Sequence, residues 1–286
     1  MIRLDAATVL LQWAVGGLAF LWVTTRRREV GIGYGWLLRA VYLVLAAGAV
    51  AAGRIGDTVV VRDVAAGGVV VAAAASLAVS VVRRRAGVAG ERLRVAARSE
   101  RVAAMTGIDR VADGPLDGVP EFPPALDLVA PILGLMGLVA AGIADVESGA
   151  VALGVARTIA GAAFLGAVSD AMLLGHWYLV QPGLGRAPLH ELNRWVALTW
   201  PVEVALLWVP TGMGSVLSGS IDDGYGGLLG WFWIACAITT IVLVFVTMAA
   251  LRERAYSAVM AATGLLYLAI LTAFGTDLVA RAVLAP

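Results

Sequence analysis

Apolar and polar positions along this chain fall into long blocks, not short alternations. Eight stretches, about 7–25, 34–53, 66–82, 126–144, 150–178, 189–210, 227–250 and 257–283, run with few interruptions through Ala, Val, Leu and Gly. A bilayer core takes about 20 apolar residues as helix, and a segment crossing it must satisfy its own backbone hydrogen bonds. Each stretch is therefore predicted to be a transmembrane helix. The expected fold is all-α, a polytopic membrane bundle of eight helices forming a single integral-membrane domain over 1–286. Arg26, Arg27 and Arg28 follow the first apolar run instead of preceding it, and no small-residue cleavage site is apparent. That run is expected to stay as a span and not to act as a signal peptide.

Charge sets the expected orientation. Charged residues make up only 14% of the chain against 60% apolar, with a mean hydropathy of +0.89, which leaves no polar block long enough for a soluble domain. The net charge of +1 conceals an asymmetry, because all 21 basic residues are arginine. With the N-terminus outside, sixteen arginines fall on inner segments, and five (Arg3, Arg54, Arg62, Arg157 and Arg281) fall on the outer side. Outer loops are instead acidic, at Asp145-Val146-Glu147 and Asp222-Asp223. The positive-inside rule then places both termini outside the cytoplasm, in a multi-pass protein of the cytoplasmic (inner) membrane. Trp22, Trp36, Trp177 and Trp195 fall near the inner interface and Trp13, Trp208, Trp231 and Trp233 near the outer one, as interfacial belts do. Arg39 is expected to snorkel to the inner surface.

Composition also removes several chemistries. Without lysine there is no Schiff base to retinal or pyridoxal phosphate and no P-loop. A lone cysteine, Cys236, makes no internal disulfide and holds no iron–sulfur cluster by itself. Nucleic acid is not an expected partner, since the arginine clusters adjoin spans and no aromatic-interleaved module accompanies them. The long loop 83–125 opens with Arg83-Arg84-Arg85 and repeats Val88, Val95 and Val102 every seven residues. It reads as an arginine-rich amphipathic helix on the cytoplasmic face, against anionic lipid, as a solvated extension of the third span, or as a docking surface for another membrane or peripheral subunit. Small residues four apart, Gly68 with Ala72 and Ala162 with Gly166, predict close helix contacts.

Candidate chemistry concentrates in 157–203, where spans five and six fold back at Gln181-Pro182-Gly183. Both histidines lie there, His176 and His190, each seven residues from Gly183 and thus expected at similar depth. Tyr178 and Gln181 are candidate neighbours for the first, Glu191 and Arg194 for the second. His176, Tyr178, His190 and Arg194 together could take a quinone headgroup or, if the helices splay, a haem b between the two imidazoles. Two histidines with uncertain carboxylates are a weak metal signature, and no metal ligand is assigned. Asp170 and Glu203 lie deepest in the apolar helices. An ionised carboxylate there costs about 2.5–3.5 kcal/mol on insertion scales, so each must be paired, protonated or wet. Arg157 is the expected counter-ion of Glu203, Asp170 has no evident local partner, and Asp277 with Arg281, four apart, should pair structurally at the outer end.

Three function classes fit these residues. The leading one is a membrane subunit of a redox or proton-coupled complex, with a cytoplasm-facing quinone or haem site and Asp170, Glu203 and Arg157 handling protons. The second is a small permease or exporter binding a solute or ion at Asp170, Glu203 and Arg157. The third is a non-catalytic scaffold or assembly factor. Whether the protein is an enzyme stays open at this point.

Overall fold

A computed structural model of the chain describes residues 4–106, 120–145, 151–181, 183–208 and 212–284. Its described residues are helical with no strand. The helices are α1 (Ala6–Thr25), α2 (Ile32–Ile55), α3 (Val60–Val82), α4 (Ala89–Thr106), α5 (Val129–Ala144), α6 (Val151–Val180), α7 (Ala187–Trp208), α8 (Met213–Leu217), α9 (Leu228–Ala250) and α10 (Tyr256–Val283), with a 3-10 turn, Pro124–Leu128, leading into α5. Each of the eight apolar stretches has become a helix. Seven of these, counting the turn with α5, are long and apolar enough to cross a membrane. The exception is α7, whose Glu191, Arg194 and Glu203 interrupt its apolar character, although it packs against both α6 and α9.

Two helices form the axis of the bundle. The central stretches of α1 and α6 are the most enclosed, while α2, α3, α9 and α10 bury about a third of theirs. Their outward faces carry Val44, Val71, Val242 and Leu271, all more than half exposed. In water so much apolar exposure would be a liability, and in acyl chains it costs nothing. The hub helix α6 spans 30 residues and touches α1, α5, α7 and α10. Its contact with α1 is backbone against backbone, since a Cβ on Gly16 would lie 1.8 Å from the Ala162 carbonyl oxygen, beside Gly166. The predicted Ala162–Gly166 contact is therefore present. At Gly68 a Cβ would meet the Leu133 side chain at an ordinary 3.6 Å, and the close approach of α3 and α5 is made instead at Gly137, where a Cβ would lie 2.9 Å from that of Ala65.

Alternate helix ends gather at one arginine-rich end of the bundle. Arg26 and Arg27 at the end of α1 reach Glu191 at the start of α7, each at 2.5 Å. The Glu191 carboxylate holds the Arg27 guanidinium above its usual value, by hydrogen bond and by charge. Arg83 donates to the Glu121 carbonyl at 3.0 Å, and Arg186 donates to the carbonyls of Arg254 and Ala255 at 2.8 and 3.0 Å, tying the α6–α7 corner to the start of α10. Residues 89–106 of the long loop do form an arginine-rich helix, α4, none of whose residues is buried. It is tethered near its start, by Gly90 N–H to the Arg28 carbonyl at 3.0 Å and by Arg94 to the Glu29 carbonyl at 2.6 Å. The predicted break at Asp113-Gly114-Pro115 lies outside the described residues.

Arg39 does not snorkel. It is 2% exposed, and its Nε and Nη2 grip Asp127 in a two-pronged pair at 2.8 Å each. Its Nη1 donates to Ser80 at 3.3 Å, and the guanidinium lies over the Phe122 ring at 4.2 Å. Asp127 comes from the turn before α5, so the partner that keeps Arg39 inside is 88 residues away in sequence.

Candidate functional site

Ionisable side chains enter the interior along α6 at two levels. The first centres on Asp170, which is wholly buried. Tyr42 of α2 donates its hydroxyl to Asp170 Oδ1, and the Tyr34 hydroxyl reaches the Asp170 carbonyl oxygen at 3.4 Å. Oδ2 of Asp170 has no hydrogen-bond partner among the described residues. One residue earlier, Ser169 accepts the Trp13 indole N–H at 2.8 Å, joining α1 to the same turn. Gly17 makes room for this arrangement, because a Cβ there would overlap the Tyr42 ring at 2.0 Å. The carboxyl expected to lack a local partner is therefore met by one neutral hydroxyl, that of Tyr42 on α2.

The second level lies nine to thirteen residues toward the start of α6, about 14–20 Å away along the axis. Here α1, α6, α7 and α10 bring together Gln12, Arg157, Glu203, Asp277 and Arg281, each at most 1% exposed. Arg281 Nε donates to Asp277 Oδ2 at 2.9 Å, and its Nη2 donates to Gln12 Oε1 at 2.6 Å. Gly161 allows this convergence, since a Cβ would sit 1.9 Å from Gln12 Nε2 and 2.9 Å from Asp277 Oδ1. Arg157 donates its Nε to the Leu206 carbonyl at 2.7 Å and lies in the field of Glu203. The Glu203 carboxyl faces Asp277 within hydrogen-bonding reach and feels the charges of Arg281 and Arg157. Among the described residues Arg157 is thus one of two cations acting on Glu203, and the Asp277–Arg281 pair belongs to the Glu203 site as well as to the end of α10. Two ionised carboxylates about 4 Å apart repel by about 4 kcal/mol at an effective dielectric of about 20, so this level needs both guanidiniums or a proton.

The histidine hairpin is more dispersed than the sequence suggests. His176 is exposed and pairs through Nδ1 with the Tyr267 hydroxyl of α10 at 3.2 Å, ring edge to ring face. Tyr178 is buried and donates to the Gly185 carbonyl, which closes the corner between α6 and α7. Two residues on a helix point about 200° apart, so His176 and Tyr178 face opposite ways. His190 is half-buried and Arg194 exposed. Expected neighbours are engaged elsewhere: Gln181 accepts from Trp177 at 2.8 Å and from Gly31 N–H at 3.1 Å, and Glu191 holds Arg26 and Arg27. Sequence reasoning named Asp170, Glu203 and Arg157 but missed Tyr42, Gln12 and the part played by Asp277. Gln12 is the only amide side chain in the first apolar stretch, a signal of the kind that marks intramembrane sites.

No protein-family model, no curated protein and no solved structure matches the chain. What defines it is a helical, membrane-type bundle with two enclosed ionisable levels on one hub helix.

Proposed function

We propose that the chain is an integral membrane subunit of a redox or proton-coupled complex, seated in the cytoplasmic membrane and crossing it eight times with both termini outside. The enclosure of Asp170 and Glu203 carries this reading: both are fully buried, on adjoining helices of a bundle whose outer faces are apolar. Ionisable groups inside a membrane bundle are rare and costly, and where acceptors are left over, as at Asp170 and Glu203, they suit an ion path or proton relay. In this reading α7 is the eighth span. Its 22 residues reach about 33 Å, with Glu191 at the arginine-rich end and Leu206, about 22 Å further along, beside Arg157. The arginine-rich end faces the cytoplasm.

Asp170, Glu203 and Arg157 handle protons, and the hairpin with His176, Tyr178, His190 and Arg194 takes the redox partner. Quinone suits the placement better than haem b. His176 stands on the outside of the bundle with Tyr267, open to a headgroup arriving from the bilayer, and Tyr178 fixes the corner behind it. The bilayer is one partner, and α4 offers a surface to further membrane or peripheral subunits. One observation favours a permease as the second reading: Pro201 lies within the continuous helix α7 two residues before Glu203, and a proline can bend a spanning helix at a binding site.

Purified protein separates the two. The redox reading expects extractable quinone or a reduced-minus-oxidised haem band, and it expects Asp170→Asn to express normally while losing proton-coupled turnover. A colourless, quinone-free preparation, with Asp170→Asn fully active, contradicts it.

A further inference from the structure

Among the described residues, five polar atoms at the second level of α6 lack a hydrogen-bond partner: Oε1 and Oε2 of Glu203, Oδ1 of Asp277, Nη1 of Arg281 and Nε2 of Gln12. All four side chains are 0% exposed. Native interiors leave few buried polar atoms unsatisfied, and a cluster of them in one place asks for something that supplies the missing bonds. The two carboxyls are the telling pair. Both stand at the Arg157–Gly161 level of α6, since Arg157 bonds the Leu206 carbonyl one turn beyond Glu203 and a Cβ on Gly161 would lie 2.9 Å from Asp277 Oδ1, and an ionised carboxylate only accepts, so neither can satisfy the other. One hydrogen on either oxygen turns two opposed acceptors into a donor and an acceptor.

We propose that Glu203 and Asp277 hold a single proton between their carboxyl groups, in an enclosed site built by α1, α6, α7 and α10. Among the described residues, two guanidiniums, Arg157 from α6 and Arg281 from α10, act on Glu203 beside the Asp277 carboxyl. From α1 the facing group is the uncharged amide of Gln12. α9 brings one titratable group, the Cys236 thiol, which sits against Gly275 of α10. Toward the ends of α7 and α10, Leu207, Ala280 and Leu284 pack with Trp233 of α9 in one buried cluster. A proton suits this geometry better than a metal ion, because among the described residues no three His, Cys, Asp or Glu side chains converge on one point.

Asp277 thus becomes a partner in proton binding, where the sequence suggested only a structural pair with Arg281. The inference deepens the reading of Glu203 given above, but it needs neither a quinone nor a transported solute. Infrared spectroscopy of the full chain in lipid at neutral pH tests it. The expected result is a carbonyl band of a protonated carboxylic acid that shifts in heavy water, is lost in both Glu203→Gln and Asp277→Asn, and survives in Asp170→Asn. Asp277→Glu, which keeps the charge opposite Arg281, should move the band without removing it. A band that persists in Glu203→Gln overturns the proposal, and so does one that vanishes in Glu203→Gln but stays unmoved in Asp277→Asn and Asp277→Glu. Absence of quinone or of turnover would sink the redox reading while leaving this band in place.

Discussion

Two buried arginine–aspartate pairs sit near opposite ends of the bundle and are built differently. Arg39 and Asp127 form a closed unit. Both carboxylate oxygens are gripped at 2.8 Å, Thr25 adds a bond to Asp127 at 2.9 Å, Ser80 takes the remaining guanidinium nitrogen, and Phe122 covers the face. Arg281 and Asp277 form an open unit. Only one carboxylate oxygen is engaged, Arg281 Nη1 is unbonded, and a second carboxyl, Glu203, faces the pair with both oxygens free of partners. Charge burial alone therefore does not separate a staple from a site. Surplus hydrogen-bonding capacity does, because a fully satisfied pair has nothing left to offer a proton or ligand.

The largest predicted effect falls on the closed pair. Asp127→Ala strands the Arg39 charge and should cost about 3–5 kcal/mol, whereas Arg39→Met combined with Asp127→Leu should recover most of that loss. Thermal unfolding in detergent measures both, and a double variant as unstable as Asp127→Ala would show the pair to be more than a staple. A smaller loss is expected at Gly17. Alanine there intrudes on the Tyr42 ring, so Gly17→Ala should cost about 1–3 kcal/mol and pull the hydroxyl from Asp170. Tyr42→Phe, which deletes only the donor, should cost about 1–2 kcal/mol by the same unfolding assay. If Tyr42→Phe proved the worse of the two, Asp170 would depend on Tyr42 for more than the packing that Gly17 permits.

Much of the fold was legible because lipid demands long apolar runs, and all eight runs became helices. Asp170, Glu203 and Arg157 were legible for the same reason, since a charge stands out against Ala and Val. Their partners were not. Tyr42 lies 128 residues from Asp170, and Gln12 lies 269 from Arg281, separations over which periodicity carries no information. Arg39 was misplaced because its counter-ion, Asp127, reads in sequence as the edge of a loop. His176 and Tyr178 looked like one cluster because they are adjacent in the chain, but the turn of the helix sends one to the surface and the other inside. Helical phase decides that, and a short apolar stretch buried on several faces conceals it.

The claim that Glu203 and Asp277 share one proton beside Arg281 is tested most directly by comparing the unfolding of Glu203→Gln with that of Asp277→Leu at neutral pH. The glutamine amide can donate where the shared proton stood, so Glu203→Gln should lie within about 1 kcal/mol of the parent. Asp277→Leu removes the acceptor that Arg281 Nε uses and should lose about 3 kcal/mol or more. Equal losses in the two variants would mean that Glu203 is as necessary a counter-ion as Asp277, and the distinction between open and closed pairs would fail.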